Sequence, residues 1–423
     1  MKEFFNKFTL VFQDSVLRKR ILFTLLALVL FRALSAVPIS GIDTGRLAQI
    51  FSTNPCTCLL NIFSGGGLSQ LSIVMLGVSP YITGSIIMQL LTIMSPKLKA
   101  MYQEDGEAGR RKFAQYGRIL TVPLALLQGY SFIKILETQQ VIVGLSGIEL
   151  ITNLIVITAG SVLLMWIGEL VSEYGIGNGI SLIIFAGIVA ALPTQIGQLV
   201  YAFDPSQIPV YLALIVVAAL VIVLVVVITE AERPIPIVQA KQVRGNRVFG
   251  GGSSYLPLRI NQAGVIPIIF ALSILLFPQM ILRFLQGISN TTIQSISTTA
   301  LNLLANSWFY GVSYFFLVFI FTYFYTAVTF DPDQISTNLQ KNGSFIPGVR
   351  PGKSTSDHIS RILTRLTLVG ALFLGVIAVL PLIASQVTGI TAISVGGTSL
   401  LIVVSVVIDL IKKVDAQVSI REY

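Results

Sequence analysis

The hydrophobic pattern of this chain is one of long runs rather than alternation. Runs of largely apolar residues recur near 21–38, 72–94, 116–136, 150–168, 179–199, 209–228, 262–282, 307–329, 363–385 and 394–411. Each approaches the roughly 20 residues that a helix needs to cross a hydrocarbon core. The pattern predicts an all-α polytopic membrane protein with ten transmembrane helices. One stretch, FSGGGLSQLSIVMLGVSPYITGSIIMQLL (63–91), is not a clean span. Gly65, Gly66 and Gly67 each cost a helix interior about 1 kcal/mol. Gly77 and Pro80 fall within the apolar run, and Pro80 lacks a backbone donor. At membrane depth, broken backbone is tolerated only where it lines a cavity or is buried in protein. The stretch therefore predicts a half-helix, a break, and a full helix beside something hollow.

The charges set the orientation. Of 28 lysines and arginines, 24 fall in the N-terminal tail (1–20), the stretch after segment two from Lys97 to Arg118, the loops 230–260 and 331–361 with Arg365 just beyond, and the C-terminal tail (412–423). A ten-span threading places all of these on one face, which the excess of Lys and Arg marks as cytoplasmic, with both termini. The net charge of +9 is then mostly topology rather than a nucleic-acid footprint. Five spans lie in 21–200 and five in 201–411, so the second half enters from the opposite side. Inverted halves commonly place a pathway at their interface, although ten spans also divide into fives by arithmetic alone.

Composition narrows the chemistry. Only 11% of residues are charged, against about 25% in soluble domains. Cys56-Thr57-Cys58 and the lone His358 make no metal-ligand set, disulfide framework or nucleophile–base pair. No enzyme and no cofactor are expected, and the N-terminus lacks the small-residue cleavage site of a secretory signal. Arg32, Glu169 and Asp409 sit toward span ends, and Asn153, Asn261 and Gln89 are uncharged. An ion-coupled carrier would be expected to hold more ionisable groups near the midplane. Segments two, five and seven instead combine isoleucines with glycine or proline. This suits ordinary close packing or an apolar constriction that gates by dewetting. A carrier and a pathway-free scaffold remain the alternatives at this point.

Two cytoplasmic loops are unusually long, and length of that kind often signals function. In ERPIPIVQAKQVRGNRVFGGGSSYLPLR (232–259), β-type pairs and a Gly-Gly-Gly-Ser-Ser turn predict a projecting hairpin. FDPDQISTNLQKNGSFIPGVRPGKSTSDH (330–358) reads as a Pro-rich loop around Arg350. Its PGKS lacks the preceding glycine of a phosphate loop. The repeated arginines favour docking to a large, partly anionic partner.

The blocks FSGGGLSQLSI, GVSPYITGSIIMQLL, GEAGRRKFAQYGR, MWIGELVSEYGIGNGISLIIFAGIVAALP, LPLRINQAGVIPIIFA, FIPGVRPGKST, TRLTLVGALFL and GGTSLLIVVSVVID occur in this order. Through them the chain resembles the SecY family, the channel subunits of the bacterial Sec translocon, over essentially its whole length. The resemblance implies a protein-conducting channel in the cytoplasmic membrane that passes unfolded polypeptides and releases apolar segments sideways into lipid. It implies a plug near 58–71, including Asn61, Phe63, Ser64, Gly65, Gly66, Gly67 and Leu68. Val78, Ile82, Ile184, Ile188, Ile266 and Ile402 match its pore ring. Thr83, Ile87, Gln89, Asn261 and Phe270 match its lateral gate, formed by segments two, three, seven and eight. Arg244, Arg247, Arg350 and Lys353 match the docking loops for the SecA motor ATPase and the ribosome. The chain departs from the family at Gly245-Asn246-Arg247, where adjacent arginines are usual, and in having Cys56 and Cys58. SecE and SecG subunits, signal peptides, secretory or membrane preproteins and membrane lipid are the further partners implied.

Overall fold

The computed structural model describes residues 14–39, 71–138, 146–201, 208–239, 242–244, 247–249, 253–286, 291–388 and 392–422. Each of the ten apolar segments coincides with a helix. In chain order these are α1 (Ser15–Ser35), α2 (Ser79–Met94), the short α3 (Pro96–Gln103), α4 (Gly106–Thr138), α5 (Gly147–Tyr174), α6 (Gly179–Tyr201) and α7 (Ile208–Glu230). The strands β1 (Glu232–Gln239), β2 (Gln242–Arg244), β3 (Arg247–Phe249) and β4 (Ser253–Arg259) follow. Then come α8 (Ile266–Gln286), α9 (Thr291–Ala305), α10 (Ser307–Thr329), α11 (Pro332–Lys341), β5 (Ser344–Phe345), α12 (Lys353–Thr388) and α13 (Ala392–Glu422).

Local chemistry sets the boundaries. Ser146 and Glu149 form a reciprocal capping box at α5. Asn306 Oδ1 accepts from Trp308 N (3.1 Å) at the start of α10. Asp331 Oδ1 accepts from Asp333 N and Gln334 N at α11, where Pro332 opens the helix and its missing donor costs nothing. Pro80 stands likewise in the first turn of α2, so it starts that helix rather than breaking it. The expected span 72–94 is therefore helical only from Ser79. Residues 71–78 form turns, with φ of 58° at Gly77 and 44° at Leu71.

Left-handed backbone at a leucine costs about 1–2 kcal/mol. Burial offsets it: Leu71 is 1% exposed among Met75, Phe132, Ile133, Leu136 and Ile157. Its carbonyl also accepts from Ile39 N (2.9 Å), and Ile73 N donates to Val37 O (3.0 Å). The end of α1 is thereby fastened to the approach to α2.

Among the described residues, Gly147–Tyr174, Tyr211–Glu230, Ser307–Lys341 and Lys353–Ala384 are long and apolar enough to cross a membrane. Large apolar side chains cover their outer faces, with Ile155, Ile215, Phe316 and Val376 all more than half exposed. A surface of that extent is stable against lipid rather than water. The first five long helices pack as α2 on α4, α4 on α5, α5 on α6, and α1 on α5 and α6. In the rest, α8 packs on α10, α10 on α12, α12 on α13, and α13 on α7. The two sets meet along α8 against α2 and α4, and along α13 against α6.

Close approach of α5 to the turns before α2 depends on Gly160. A Cβ there would stand 2.1 Å from Ile73 O, so the site admits hydrogen only. Arg118 Nε donates to Glu169 Oε1 (2.6 Å) and ties α4 to α5.

The expected hairpin is present, but not where the triglycine suggested. β1 pairs with β4 and β2 with β3 in one continuous antiparallel register, so the hairpin closes between Arg244 and Arg247. Ser253 and Ser254 belong to β4, opposite Val238 and Ile237. The second long loop is not a loop throughout. It holds α11 and β5, and β5 pairs with the other edge of β1 through Val238↔Phe345 and Gln239↔Ser344. The resulting sheet, in order β4-β1-β5, fuses the two segments that were expected to project separately.

Candidate functional site

The six expected ring positions come from α2 and the turn before it, α6, α8 and α13, and all fall in or against the large central apolar cluster. Val78 (0% exposed), Ile82 (7%), Ile184 (1%), Ile188 (3%) and Ile402 (2%) belong to one continuous buried cluster, and Ile266 packs against it. Val78 ends the turn before α2, and Ile82 lies one helical turn further on. Ile184 and Ile188 share a face of α6 by their i,i+4 spacing. Ile266 opens α8, and Ile402 lies on α13. The meeting place is where the first five long helices face the remainder. The surrounding cluster is aliphatic and aromatic, including Val74, Leu182, Ile269 and Leu401. Branched side chains from facing helices can close such a centre without hydrogen bonds or charges, so a polypeptide finds nothing there to bind.

The expected gate residues distribute along one seam. Thr83, Ile87 and Gln89 are on α2, Asn261 immediately precedes α8, and Phe270 is on it. α8 contacts both α2 and α4, and α10 packs on α8. The hydrogen bond of Thr83 and the ring contacts of Phe270 nevertheless run within each helix pair rather than across the seam. Thr83 Oγ1 accepts from Gln128 Nε2 on α4 (3.5 Å), a bond at the outer limit of useful length. Phe270 meets Phe321 and Tyr325 of α10 edge-on, with ring centroids 6.1 Å apart in each pair. Asn261 Nδ2 donates to Gly264 O (3.3 Å), while among the described residues its buried Oδ1 has no hydrogen-bond partner, and neither has Gln89 Oε1. An unmet buried acceptor costs about 1–3 kcal/mol. Gln128, 4% exposed in α4, was not singled out by sequence reading. An amide set within a long apolar run was the available signal at Gln128.

The docking residues sit on the β platform. Ile235, Leu258, Ile346 and Ile359 form a small core of their own, with Leu339 and Val349 packed against it. Above this core the chain from Ile346 to Ser356 is tightly bonded. Val349 N donates to Ile346 O (3.1 Å), and Gly352 O accepts from Ser336 Oγ (2.6 Å) and from Thr355 N (3.0 Å). Thr355 Oγ1 donates to Arg350 O (2.8 Å). Gly348 and Gly352 supply positive φ at 82° and 96°. Arg350 and Lys353 are exposed on this braced turn. Arg244 and Arg247 are register partners at the closed end of the hairpin. The plug positions Asn61, Phe63, Ser64, Gly65, Gly66, Gly67 and Leu68 lie outside the described residues, as do Cys56 and Cys58.

Comparison with known proteins decides the family. The family model described as SecY matches residues 72–411. The chain belongs to the SecY family. The protein translocase subunit SecY of Corynebacterium glutamicum is 40% identical to it, over 97% of each chain. Among solved structures, one described as the structure of a protein conducting channel matches 96% of this chain and 93% of its own, with a TM-score of 0.66 and 20% identity. Sec61 in the canine ribosome-channel complex from the endoplasmic reticulum covers the same shares, with a TM-score of 0.62 and 18% identity. The family is one of translocation channels rather than of enzymes.

Proposed function

We propose that this SecY-family chain conducts unfolded secretory polypeptides across the cytoplasmic membrane through a constriction of Val78, Ile82, Ile184, Ile188, Ile266 and Ile402. The observation that carries this reading is their gathering from α2, α6, α8 and α13 into one buried apolar centre where two sets of helices meet. When idle, an apolar ring excludes water and ions by dewetting. During transport it grips no particular side chain. Residues 21–200 and 201–411 act as the two halves that part around it, and the plug expected near 58–71 stops it from outside. Both termini face the cytoplasm, in keeping with the distribution of Lys and Arg.

The seam of α2 and α4 against α8 and α10 is the lateral exit. The Thr83–Gln128 bond and the Phe270 ring contacts stay within their own helix pairs, so parting the seam breaks neither, and Ile87, Gln89, Asn261 and Phe270 line the way to lipid. A leucine or isoleucine gains roughly 0.3–0.6 kcal/mol on reaching the bilayer centre. The energy for vectorial movement comes from outside the chain. SecA or a translating ribosome docks on the platform through Arg350, Lys353, Arg244 and Arg247, and the canine relative is itself part of a ribosome-channel complex. SecE and SecG complete the translocon.

Photocross-linking tests this directly. A stalled secretory chain should cross-link to a benzoylphenylalanine at position 82 and not to one at the outward-facing Ile215. Equal labelling at both positions, or labelling at neither, would overturn the reading.

A further inference from the structure

We infer that α9 is an outer-leaflet membrane anchor attached to the far end of the gate helix α8, a conclusion that rests on the cytoplasmic-termini orientation proposed above. In that orientation, α8 ends and α10 begins on the outer face, with α9 between them. Residues 291–305, TTIQSISTTALNLLA, contain no charged side chain. Among the described side chains of α9, Ser297 is buried (1% exposed) with Leu301 and Leu304 half-buried beside it, whereas Ile296 (63%) and Leu303 (51%) are open. Those two are seven residues apart and so lie on one face. Gln294, Ser295, Thr298, Thr299 and Asn302 are also exposed and hold the rest of the outer surface. The helix therefore has an apolar flank, a polar back and a packed side, an arrangement that suits an acyl–headgroup boundary.

What covers the flank follows from its neighbours. α9 packs against both α8 and α10. The start of α10 exposes Trp308 (78%), followed by Phe309, Val312, Phe316 and Ile320 down a helix apolar enough to cross the bilayer. An exposed tryptophan at the mouth of such a helix marks the interface. Leu303 stands five residues before Trp308 and shares its face of α9 with Ile296, so the apolar flank leads into the outer end of that lipid-crossing helix. Gln286 Nε2, in the last residue of α8, donates to Thr298 Oγ1 of α9 (3.2 Å). Any swing of α8 at the lateral exit thus drags an apolar flank through the outer leaflet, and outer-leaflet packing acts on the gate helix.

The test uses the full chain with Cys56→Ser and Cys58→Ser, carrying Ile296→Cys, Leu303→Cys or Asn302→Cys labelled with an NBD fluorophore. In vesicles of phosphatidylcholine and phosphatidylglycerol, headgroup-proximal nitroxide lipids should quench the probes at 296 and 303 at least twofold more than the probe at 302. In native membranes, impermeant dithionite should reduce the probe at 302 in right-side-out vesicles and spare it in inside-out ones. Equal, purely aqueous quenching at all three positions overturns the membrane anchor while leaving the orientation intact. Lipid quenching with dithionite access only in inside-out vesicles overturns the orientation, and with it the outer-leaflet assignment.

Discussion

At the scale of single residues, the approach to α2 depends on one missing methyl group. Gly160 lets the carbonyl of Ile73 lie against α5, and five residues later the chain presents Val78 to the central cluster. Gly160→Val forces α5 away from a backbone atom that no side-chain rotation can relieve. Overpacking of this kind costs about 1–3 kcal/mol or more. The variant should melt several degrees lower in detergent by tryptophan fluorescence, and Gly160→Ala should fall between it and the parent. This dependence was not legible in the chain, where Gly160 is one of 35 glycines. The isoleucines at 82, 184 and 188 were legible, because their spacing and setting can be read along a helix. Where Thr83 and Phe270 make their bonds was not, since that depends on which neighbouring helix turns toward them.

At the scale of elements, the platform separates folding from docking. Hairpin chemistry was readable in 232–259, but the triglycine drew attention from Gly245-Asn246, the shorter candidate for a closing turn. The pairing of β1 with β5 lay beyond reach, because a two-residue strand far along the chain carries no periodicity. α11 was passed over as loop, although Asp331 and Pro332 are a helix-start signal. The platform core makes two contrasting predictions. Ile346→Ala removes a side chain that is 3% exposed and should destabilise the platform by about 2–5 kcal/mol. Amide exchange should then speed up across 344–356 while α5 and α12 keep their protection. Arg350→Glu changes an exposed residue whose carbonyl, not its guanidinium, holds the turn, so stability should stay within about 0.5 kcal/mol. Its effect should appear instead as loss of SecA-driven import into membrane vesicles at an unchanged melting temperature.

At the scale of the whole molecule, the ring is a property of no single element. α2 and α6 belong to the first five long helices, α8 and α13 to the rest, and among the described residues the main contacts between these sets are α8 with α2 and α4, and α13 with α6. On the proposed reading, a constriction at these contacts would open when the sets part and close when they return, without any residue changing its helix. Dewetting makes the closed state tight, so wetting should make it leak. Ile184→Asn replaces the branched apolar side chain with a smaller one that supplies hydrogen bonds, and should raise resting ion conductance in planar bilayers. Ile82→Gly, Ile184→Gly and Ile188→Gly together remove three of the closing side chains and should raise it further, into long-lived openings. A scaffold without a pathway would stay silent in both variants, and a solute carrier would show saturable uptake rather than channel openings. Conductance that rises from parent to polar variant to triple glycine would separate a gated conduit from either alternative, because only a conduit has a continuous space for the removed side chains to uncover.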